Sequence, residues 1–378
     1  MTARSLGLPG MHKEAGEKRA FLPGFVEKLA QYDIQVVLEH DYGRGMDINP
    51  LSYTKANPKA RFGTLAEAYN QDIVMVLRFP SAGELDLLKP GSILVSMIHY
   101  ETRPDRIENL VKRNITGVSL DAVKDDNDQR LVENIAGTAW NGMNAAFQAL
   151  LKDRPWFISA KKPYLTVTII GMGAVGMHAA RAASKYGNLK LYETSEQRKI
   201  PGVLVQCAGR SITRDHKSLE DLFKATDILA DTSKRNDPTV PIIRNHLIGC
   251  LPKDAVILDL TADPYDFDTR PYQVKGIEGI PTGSLDGYIF ETDHPVYLDL
   301  GKYIDAGHRR VVASCNAWPG VTPNRCMDIY GRQIGSFFPV LFTKPVSELN
   351  VQSDNLLERA LARSTLGYFL KQRPPSGR

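Results

Sequence analysis

Three glycines at G-x-G-x-x-G spacing, Gly171, Gly173 and Gly176, are the residues whose spacing most directly indicates chemistry. They follow the apolar run 165–170 (LTVTII), typical of a buried parallel strand, and precede the Ala-rich segment 177–186, which favours a helix. In such a turn the first glycine permits a tight bend, the second lets a pyrophosphate approach the backbone, and the third lets helix and strand pack closely. The helix N-terminus would then face the phosphates. The sequence therefore predicts a dinucleotide-binding turn.

An acidic residue after a second strand would complete this unit. We interpret 189–192 (LKLY) as that strand, which places Glu193 about 20 residues beyond the first glycine. A carboxylate there accepts hydrogen bonds from an adenine-ribose diol and repels a 2′-phosphate, so the sequence favours NAD over NADP, although Arg198 nearby weakens that preference. The alternative is a glycine-rich turn in an ordinary buried α/β unit. The further residues predicted to contact the cofactor are Ala174, Val175, Asp231 and Thr232.

Other polar residues also follow predicted strands, where ligands bind in open α/β sheets. Histidine as a residue type has an unperturbed pKa of about 6.5, which suits a general acid or base, and this makes His99 a candidate for that role. Arg78 and Arg19 can each hold a carboxylate through two parallel hydrogen bonds, and Asp263 can bond a ribose or a substrate amine. Taken singly, each has a structural alternative: a strand cap, a surface ion pair or a turn. The polar residues at strand ends are Arg78, His99, Asp121, Glu193, Asp231 and Asp263.

Length and composition indicate the broad class of protein. The 378 residues are enough for two domains, and the 43% hydrophobic and 24% charged fractions are ordinary for a soluble globular protein. The net charge of +4 is spread along the chain, which argues against nucleic-acid binding. We expect a cytoplasmic protein because we find no signal-peptide core and no apolar run of membrane-spanning length. Four cysteines without C-x-x-C spacing predict no metal site, and a bridge between Cys207 and Cys250 is left open.

Strand and helix patterns alternate along the chain, which predicts an α/β fold with parallel sheets. Besides 165–170 and 189–192, the predicted strands are 33–38, 73–77, 92–98, 116–120, 227–230, 255–260 and 311–314. The long predicted helices are 132–152, 324–341 and 355–370.

The order of these motifs resembles the alanine dehydrogenase and transhydrogenase N-terminal superfamily. That superfamily also includes saccharopine dehydrogenases and N-(carboxyalkyl) amino acid synthases. The segments DPYD and DHPVY of this chain resemble those two branches more closely than they resemble alanine dehydrogenase. The resemblance spans almost the whole chain. It is carried by HKEAGEKRAFLPGFV (12–26), the strand that ends at His99, ENIAG (133–137), GMGAVG (171–176), LDLTADP (258–264) and NAWPGVTP (316–323).

The resemblance implies two doubly wound, Rossmann-like domains flanking a cleft, with the cofactor domain inserted in the substrate domain. Applied to this chain, residues 1–139 and 313–378 form the substrate domain and residues 140–312 the NAD-binding domain. It also implies that Arg19 binds a substrate carboxylate and that His99 is the acid/base. Asp263 and Asn316 would lie near the nicotinamide and the substrate.

One departure concerns Arg78, which stands where the superfamily usually has a lysine. Because arginine does not give up its proton, either proton transfer falls on His99 alone or the substrate differs from that of the superfamily. We therefore predict His99, Arg78 and Asp263 as catalytic and Arg19, Arg78 and Asn316 as substrate-binding residues.

The predicted function is an NAD-dependent oxidoreductase that acts on the CH–NH group of an amino acid or N-(carboxyalkyl) amino acid. It would work through imine formation and hydrolysis, or catalyse the reverse reductive coupling with an oxo acid. The sequence does not decide whether the amine is ammonia or a diamino acid, nor whether the protein is a monomer or a homo-oligomer. The alternative is a dinucleotide-binding module without dehydrogenase activity, like the NAD-binding component of transhydrogenase.

Overall fold

Short runs of aliphatic and β-branched residues, buried on both faces, form the strands of two parallel-dominated sheets. The computed structural model describes residues 5–12, 14–154, 164–200, 202–261 and 263–372. The chain divides into two compact units. Unit 1 comprises Met1–Asn134 with Pro323–Arg378, and unit 2 comprises Ile135–Thr322. Unit 2 is thus inserted between the two parts of unit 1.

The first part of unit 1 alternates strands with short helices. Its elements are β1 (Ser5–Leu8), α1 (Pro23–Glu27), β2 (Gln35–Glu39), α2 (Leu51–Ala56), β3 (Ala60–Gly63), α3 (Leu65–Tyr69), β4 (Ile73–Arg78), α4 (Ala82–Leu85), β5 (Ile93–Met97), α5 (Pro104–Lys112) and β6 (Thr116–Ser119). The strands are parallel in the order β3-β2-β1-β4-β5-β6. This is a doubly wound order whose switch point lies between β1 and β4.

Unit 2 begins with a long helix and continues as a second sheet. Its elements are α6 (Ile135–Asp153), β7 (Leu165–Ile170), α7 (Ala174–Ala183), α8 (Leu189–Gln197), β8 (Val203–Ala208), α9 (Arg210–Thr213), α10 (His216–Lys224), β9 (Ile228–Asp231), α11 (Asn245–Ile248), β10 (Val256–Asp259), β11 (Ile289–Phe290), α12 (Val296–Leu300) and β12 (Val311–Ser314). The sheet order is β11-β12-β10-β9-β7-β8, in which β11 pairs antiparallel with β12 and the other pairs are parallel.

The return segment completes unit 1 with helices α13 (Pro323–Gly335), α14 (Phe338–Leu341), α15 (Leu356–Arg363) and α16 (Leu366–Gln372). Phe25 of α1 stacks on Phe21 with ring centroids 4.1 Å apart and meets Phe338 edge-on at 4.9 Å. The core of unit 1 therefore joins the two ends of the chain.

The predicted α/β class is confirmed, and every predicted strand except 189–192 overlaps an observed strand. The predicted strand 189–192 is wrong, because these residues begin helix α8, where the Asn188 side chain accepts a hydrogen bond from the Leu191 N–H at 3.2 Å. The second strand of the unit is β8, further along the chain, and it pairs with β7 over six residues. The predicted return to the first domain at residue 313 falls within β12, which pairs with β10.

The two long helices predicted in the return segment are each two helices. Pro339 lies in the first turn of α14, where a proline with no N–H is tolerated, and α13 ends before it. Between α15 and α16, the Ser364 carbonyl accepts a hydrogen bond from the Ser119 N–H at 2.9 Å instead of continuing a helix. Within the described residues, no helix has both the length and the apolar character needed to cross a membrane. Cys207 and Cys250 are free thiols, so they do not form the bridge that the sequence left open.

Candidate functional site

Four of the polar residues follow neighbouring strands of unit 1. Arg19 lies in the loop after β1, Arg78 ends β4, His99 follows β5 and Asp121 follows β6. Because β1, β4, β5 and β6 are adjacent and parallel, these side chains share the carboxyl edge of the sheet. This edge is the candidate substrate site of unit 1.

His99 is held by Asp121 through both its backbone and its ring. The His99 N–H donates to Asp121 Oδ1 at 3.0 Å, and His99 Nδ1 lies 3.3 Å from Asp121 Oδ2. His99 has φ of +57°, a left-handed conformation that is strained for most residues and concentrates at functional sites. Its side chain is 44% exposed, and Nε2 has no hydrogen-bond partner among the described residues. The ring is therefore oriented at one nitrogen and open at the other, as a general acid or base requires.

Asp121 is an ionised anchor for this histidine. Burial alone would raise the pKa of the Asp121 carboxyl, but hydrogen bonds from His99 and Ser119 and the charge of His99 outweigh it and hold the pKa at about 2. The Ser119 hydroxyl donates to Asp121 Oδ1 at 2.7 Å. The carboxylate is thus ionised throughout the range in which histidine titrates.

We expect Asp121→Asn to destabilise the protein by about 2 kcal/mol near neutral pH and by progressively less as the pH falls toward 2. The folded-state pKa lies below that of the unfolded chain, so the stabilisation is present above the unfolded pKa and is lost as the pH falls through the folded one. Urea unfolding followed by circular dichroism at several pH values measures this. Asp86→Asn, at a side chain 65% exposed, is the control and should change little. A pH-independent loss in Asp121→Asn would show that packing, not charge, is responsible.

Arg19 is buried and already paired within its own loop. Its Nε donates to Glu17 Oε1 at 2.8 Å and its Nη2 to Glu17 Oε2 at 2.5 Å, which forms a two-bond carboxylate clamp. Burial alone would raise the pKa of Glu17, but its bonds to Arg19 lower it. The guanidinium's third nitrogen, Nη1, lies 4.0 Å from Cys326 Sγ. The sequence did not single out Glu17, although its position two residues before an arginine in a polar loop was a usable signal.

Arg78 pairs with Glu14 from the same loop. The Arg78 side chain is 34% exposed whereas that of Glu14 is 6% exposed, so the guanidinium presents one face outward. Glu14 Oε1 is buried without a hydrogen-bond partner among the described residues. Arg78 therefore has a carboxylate on one side and open space for an anion on the other.

A cavity of about 410 Å³ opens beside His99 and Asp121 in unit 1. Its walls include Arg130, Arg363 and Tyr368. Neither Arg19 nor Arg78 lines this cavity. His99 thus borders a space large enough for a small organic molecule, while the two arginines lie outside it.

The glycine turn of unit 2 has the geometry that its spacing predicts. Gly171 has φ of +95°, which a residue with a side chain rarely adopts. A Cβ built on Gly173 would meet nothing within 4 Å, whereas one on Gly176 would lie 2.6 Å from the Gly171 carbonyl oxygen. Gly173 precedes the first residue of α7, whose N-terminal N–H groups face the turn. These residues fit the pyrophosphate of a dinucleotide.

Two alanine substitutions should separate packing from binding in this turn. Gly176→Ala should destabilise unit 2 by about 1–3 kcal/mol and weaken dinucleotide binding, because strand and helix must move apart. Gly173→Ala should weaken binding without loss of stability, since its methyl group occupies only the space that the pyrophosphate needs. Thermal unfolding and NADH titration measure the two effects. Equal destabilisation of both variants would contradict the packing role given to Gly176.

Asp231 ends β9 and Thr232 follows it, beside the glycine turn. The Thr232 hydroxyl donates to the Ile170 carbonyl at 2.9 Å and lies 3.2 Å from the Gly171 carbonyl, so it fixes the backbone of the turn. Asp231 is buried, and burial and the neighbouring Asp259 carboxylate raise its pKa to about 7. Asp231 is therefore buried inside unit 2 at the end of β9.

A buried ion pair between Lys275 and Asp259 lies at the end of the neighbouring strand, β10. Lys275 is fully buried, and its Nζ donates to Asp259 Oδ2 at 2.7 Å and to the Asp263 carbonyl at 2.9 Å. Burial alone would raise the pKa of Asp259, but the charge of Lys275 lowers it. The Asp259 carboxylate also accepts the Ser314 hydroxyl at 3.0 Å. The sequence does not suggest this pair, because a lysine is rarely buried.

The structure gives Asp263 a partner that the sequence did not suggest. Arg235 Nη2 donates to Asp263 Oδ2 at 2.7 Å, and the Asp263 side chain is 34% exposed. Asn316 follows β12, and its N–H donates to the Gly283 carbonyl at 3.1 Å. Glu193 is exposed on helix α8, so the argument that placed it at a strand end beside the ribose loses its basis.

Comparison with known families and structures agrees with this architecture. The model of the alanine dehydrogenase/PNT N-terminal domain matches residues 10–138. A transhydrogenase subunit, NAD(P) transhydrogenase subunit alpha of Haemophilus influenzae, is 21% identical over 94% of this chain and 70% of its own length. The first third of this chain therefore matches the alanine dehydrogenase/PNT N-terminal domain. The predicted resemblance is thereby confirmed at the level of the superfamily.

Three further comparisons give one relative by sequence and two solved structures of similar fold. The alanine dehydrogenase of Staphylococcus saprophyticus is 25% identical over 68% of this chain and 72% of its own length. A solved structure of an L-alanine dehydrogenase matches with a TM-score of 0.69 at 17% identity, covering 96% of this chain and 94% of the other. A transhydrogenase from Sinorhizobium meliloti matches with a TM-score of 0.55 at 17% identity, covering 89% of this chain and 93% of the other. The likeness to these solved structures shows the Rossmann-like fold.

Proposed function

We propose that this chain is a nicotinamide-dinucleotide-dependent oxidoreductase that acts on the CH–NH group of an amino acid or an N-(carboxyalkyl) amino acid. The observation that carries the proposal is His99, oriented by Asp121 on the same sheet edge as Arg19 and Arg78. The chain also contains a turn that fits a pyrophosphate. We assign substrate binding to unit 1 and cofactor binding to unit 2.

In this proposal, a dinucleotide held at the glycine turn of unit 2 would supply a hydride acceptor, and loss of hydride from Cα would leave the substrate as a protonated imine. His99 Nε2 then takes a proton from the water molecule that attacks the imine carbon. Asp121 stabilises the resulting imidazolium through Nδ1. His99 returns this proton to the nitrogen and takes up the hydroxyl proton as the C–N bond breaks, which releases an oxo acid and an amine. The reverse sequence couples an oxo acid to an amine.

Arg78 positions the substrate. It offers an open guanidinium face to a carboxylate, whereas the Arg19 guanidinium is buried between Glu17 and Cys326. The Arg78 contact would fix a carboxylate end of the substrate and aim its Cα–H, and positioning of this kind contributes much of an enzyme's rate. Since arginine stays protonated, His99 is the residue that moves protons.

Similarity to known proteins supports the class of reaction. The relatives include alanine dehydrogenases and a transhydrogenase subunit, whose names denote dinucleotide-linked hydride transfer. We do not infer the substrate of this chain from these names, because Arg78 replaces the lysine that the superfamily usually has.

A screen of dinucleotide oxidation tests the proposal. NADH and NADPH are each incubated with the protein and with pyruvate, 2-oxoglutarate or glyoxylate, paired with ammonia, lysine or ornithine. Oxidation with ammonia alone would indicate a simple amino acid dehydrogenase, and oxidation with a diamino acid alone would indicate a coupling enzyme. Oxidation in none of the pairs, by a protein that binds dinucleotide, would reject the proposed activity.

A second candidate is a dinucleotide-binding module without dehydrogenase activity of its own. The observation that favours it is the match to a transhydrogenase alpha subunit across 94% of this chain. Arg78 favours this candidate as well, because an arginine stands where the superfamily usually has a lysine that can exchange protons. Binding without oxidation in the screen above is the result expected for this candidate.

A further inference from the structure

The strand that actually neighbours β7 decides which residues can face the adenine ribose. In a dinucleotide-binding unit, the second strand ends beside the ribose, and its terminal residues distinguish a free 2′-hydroxyl from a 2′-phosphate. Here that strand is β8, which runs parallel to β7 from Val203 to Ala208. The segment that follows it is Gly209-Arg210-Ser211.

The end of β8 lies directly against the glycine turn. The Gly171 N–H donates to the Ala208 carbonyl at 3.1 Å. A Cβ built on Gly209 would lie 4.0 Å from the Met172 sulfur, which is in the turn itself. The residues after Ala208 are therefore the neighbours of whatever the turn binds.

These residues include a cation and no acid. Arg210 is exposed at the start of α9, and Arg214 follows one helical turn later, so the two guanidinium groups share a face. No ion pair engages either arginine among the described residues of unit 2. The first acid after the strand, Asp215, caps α10 and accepts the Ser218 hydroxyl at 2.5 Å.

The acid that the sequence suggested lies elsewhere. Glu193 is exposed on helix α8, ten residues before β8 begins, and so it does not end a strand beside the turn. A carboxylate at a strand end favours a ribose diol and repels a phosphate, whereas unpaired guanidinium groups attract the phosphate. The charge next to the turn thus has the sign that suits a 2′-phosphate.

We propose that the dinucleotide of this protein is the 2′-phosphorylated form, NADP(H), with its 2′-phosphate bound by Arg210 and Arg214 and by the hydroxyl of Ser211. This inference rests on the proposed dinucleotide site of unit 2 and specifies its ligand. Guanidinium–phosphate hydrogen bonds are charge-assisted, so the preference over NADH should be about 10- to 100-fold in Kd.

Direct binding to the whole protein tests the proposal. NADPH and NADH are titrated separately by calorimetry into the wild type, Arg210→Ala and Arg214→Ala. We expect the wild type to bind NADPH about 10-fold or more tightly than NADH. Arg210→Ala should lose most of that preference and keep its affinity for NADH. Arg181→Ala, at an exposed arginine in the last turn of α7, is the matched control and should keep the preference.

The outcomes separate this proposal from the proposed function. Equal affinities, or tighter binding of NADH, would overturn the 2′-phosphate site and leave the dinucleotide site intact. Binding of neither dinucleotide would overturn both. A fourth variant, Glu193→Gln, should not alter the ratio of the two affinities. A shift toward NADPH in that variant would show that Glu193 faces the ribose and would overturn the assignment to Arg210.

Discussion

Replacement of His99 by asparagine should lower kcat for the proposed reaction by about 100- to 10,000-fold and leave the Kd for dinucleotide unchanged. The imidazole is held by the Asp121 carboxylate at Nδ1, and its side chain is 44% exposed. Asparagine is the preferred replacement because position 99 has φ of +57°, which asparagine adopts more readily than most residues. Loss of the imidazole should therefore remove proton transfer and leave the fold intact.

Steady-state kinetics with the substrate pair found in the screen, together with dinucleotide titration, measure this effect. His40→Asn is the matched control, because His40 is an exposed histidine that follows β2 of the same sheet. Unchanged turnover in His99→Asn would assign proton transfer to another group. Loss of turnover in both variants to the same extent would show that the effect is not specific to position 99.

Replacement of Lys275 by methionine should destabilise unit 2 by about 3–5 kcal/mol. The side chains of Lys275 and Asp259 are 1% and 2% exposed, so methionine leaves the Asp259 carboxylate buried without its counter-ion. The three tryptophans of the chain, Trp140, Trp156 and Trp318, all fall in the sequence of unit 2. Tryptophan fluorescence during urea unfolding therefore reports on this unit.

The double variant Lys275→Met with Asp259→Asn identifies the cause of this loss. It should recover much of the stability lost in Lys275→Met, because the second substitution removes the unpaired charge. Lys224→Met serves as the control, since Lys224 pairs with Asp221 on the surface and should change stability little. A loss in Lys275→Met no larger than that of the control would show that the buried pair does not stabilise the unit.

The glycine turn and most strands could be predicted because their signals are local. Gly171, Gly173 and Gly176 report a backbone geometry through their own spacing, and buried parallel strands appear as continuous apolar runs. His99 and Arg78 were identified because the residue after such a run lies at the carboxyl edge of the sheet. This part of the candidate site follows from the sequence.

The rest depended on contacts between residues distant in the chain. The segment 189–192 and strand β8 are both short and partly apolar, and only pairing with β7 decides which one is the strand. Lys275 looks like a surface residue until Asp259, sixteen positions earlier, is placed beside it. Likewise, the pairing of Arg78 with Glu14 joins residues 64 positions apart. Propensity does not determine such pairings, because the tertiary structure overrides it.

The insertion of unit 2 within unit 1 has a consequence for how the protein is made. As the chain leaves the ribosome, Phe21 and Phe25 emerge early, whereas Phe338, which covers them, follows more than 300 residues later. Unit 2 is continuous in sequence and can complete its core while the first part of unit 1 still exposes apolar surface. The return segment, which is synthesised after unit 2, therefore closes the core that the first part of unit 1 begins, and a nascent chain that stalls before α14 leaves an aromatic surface open to chaperones and to aggregation.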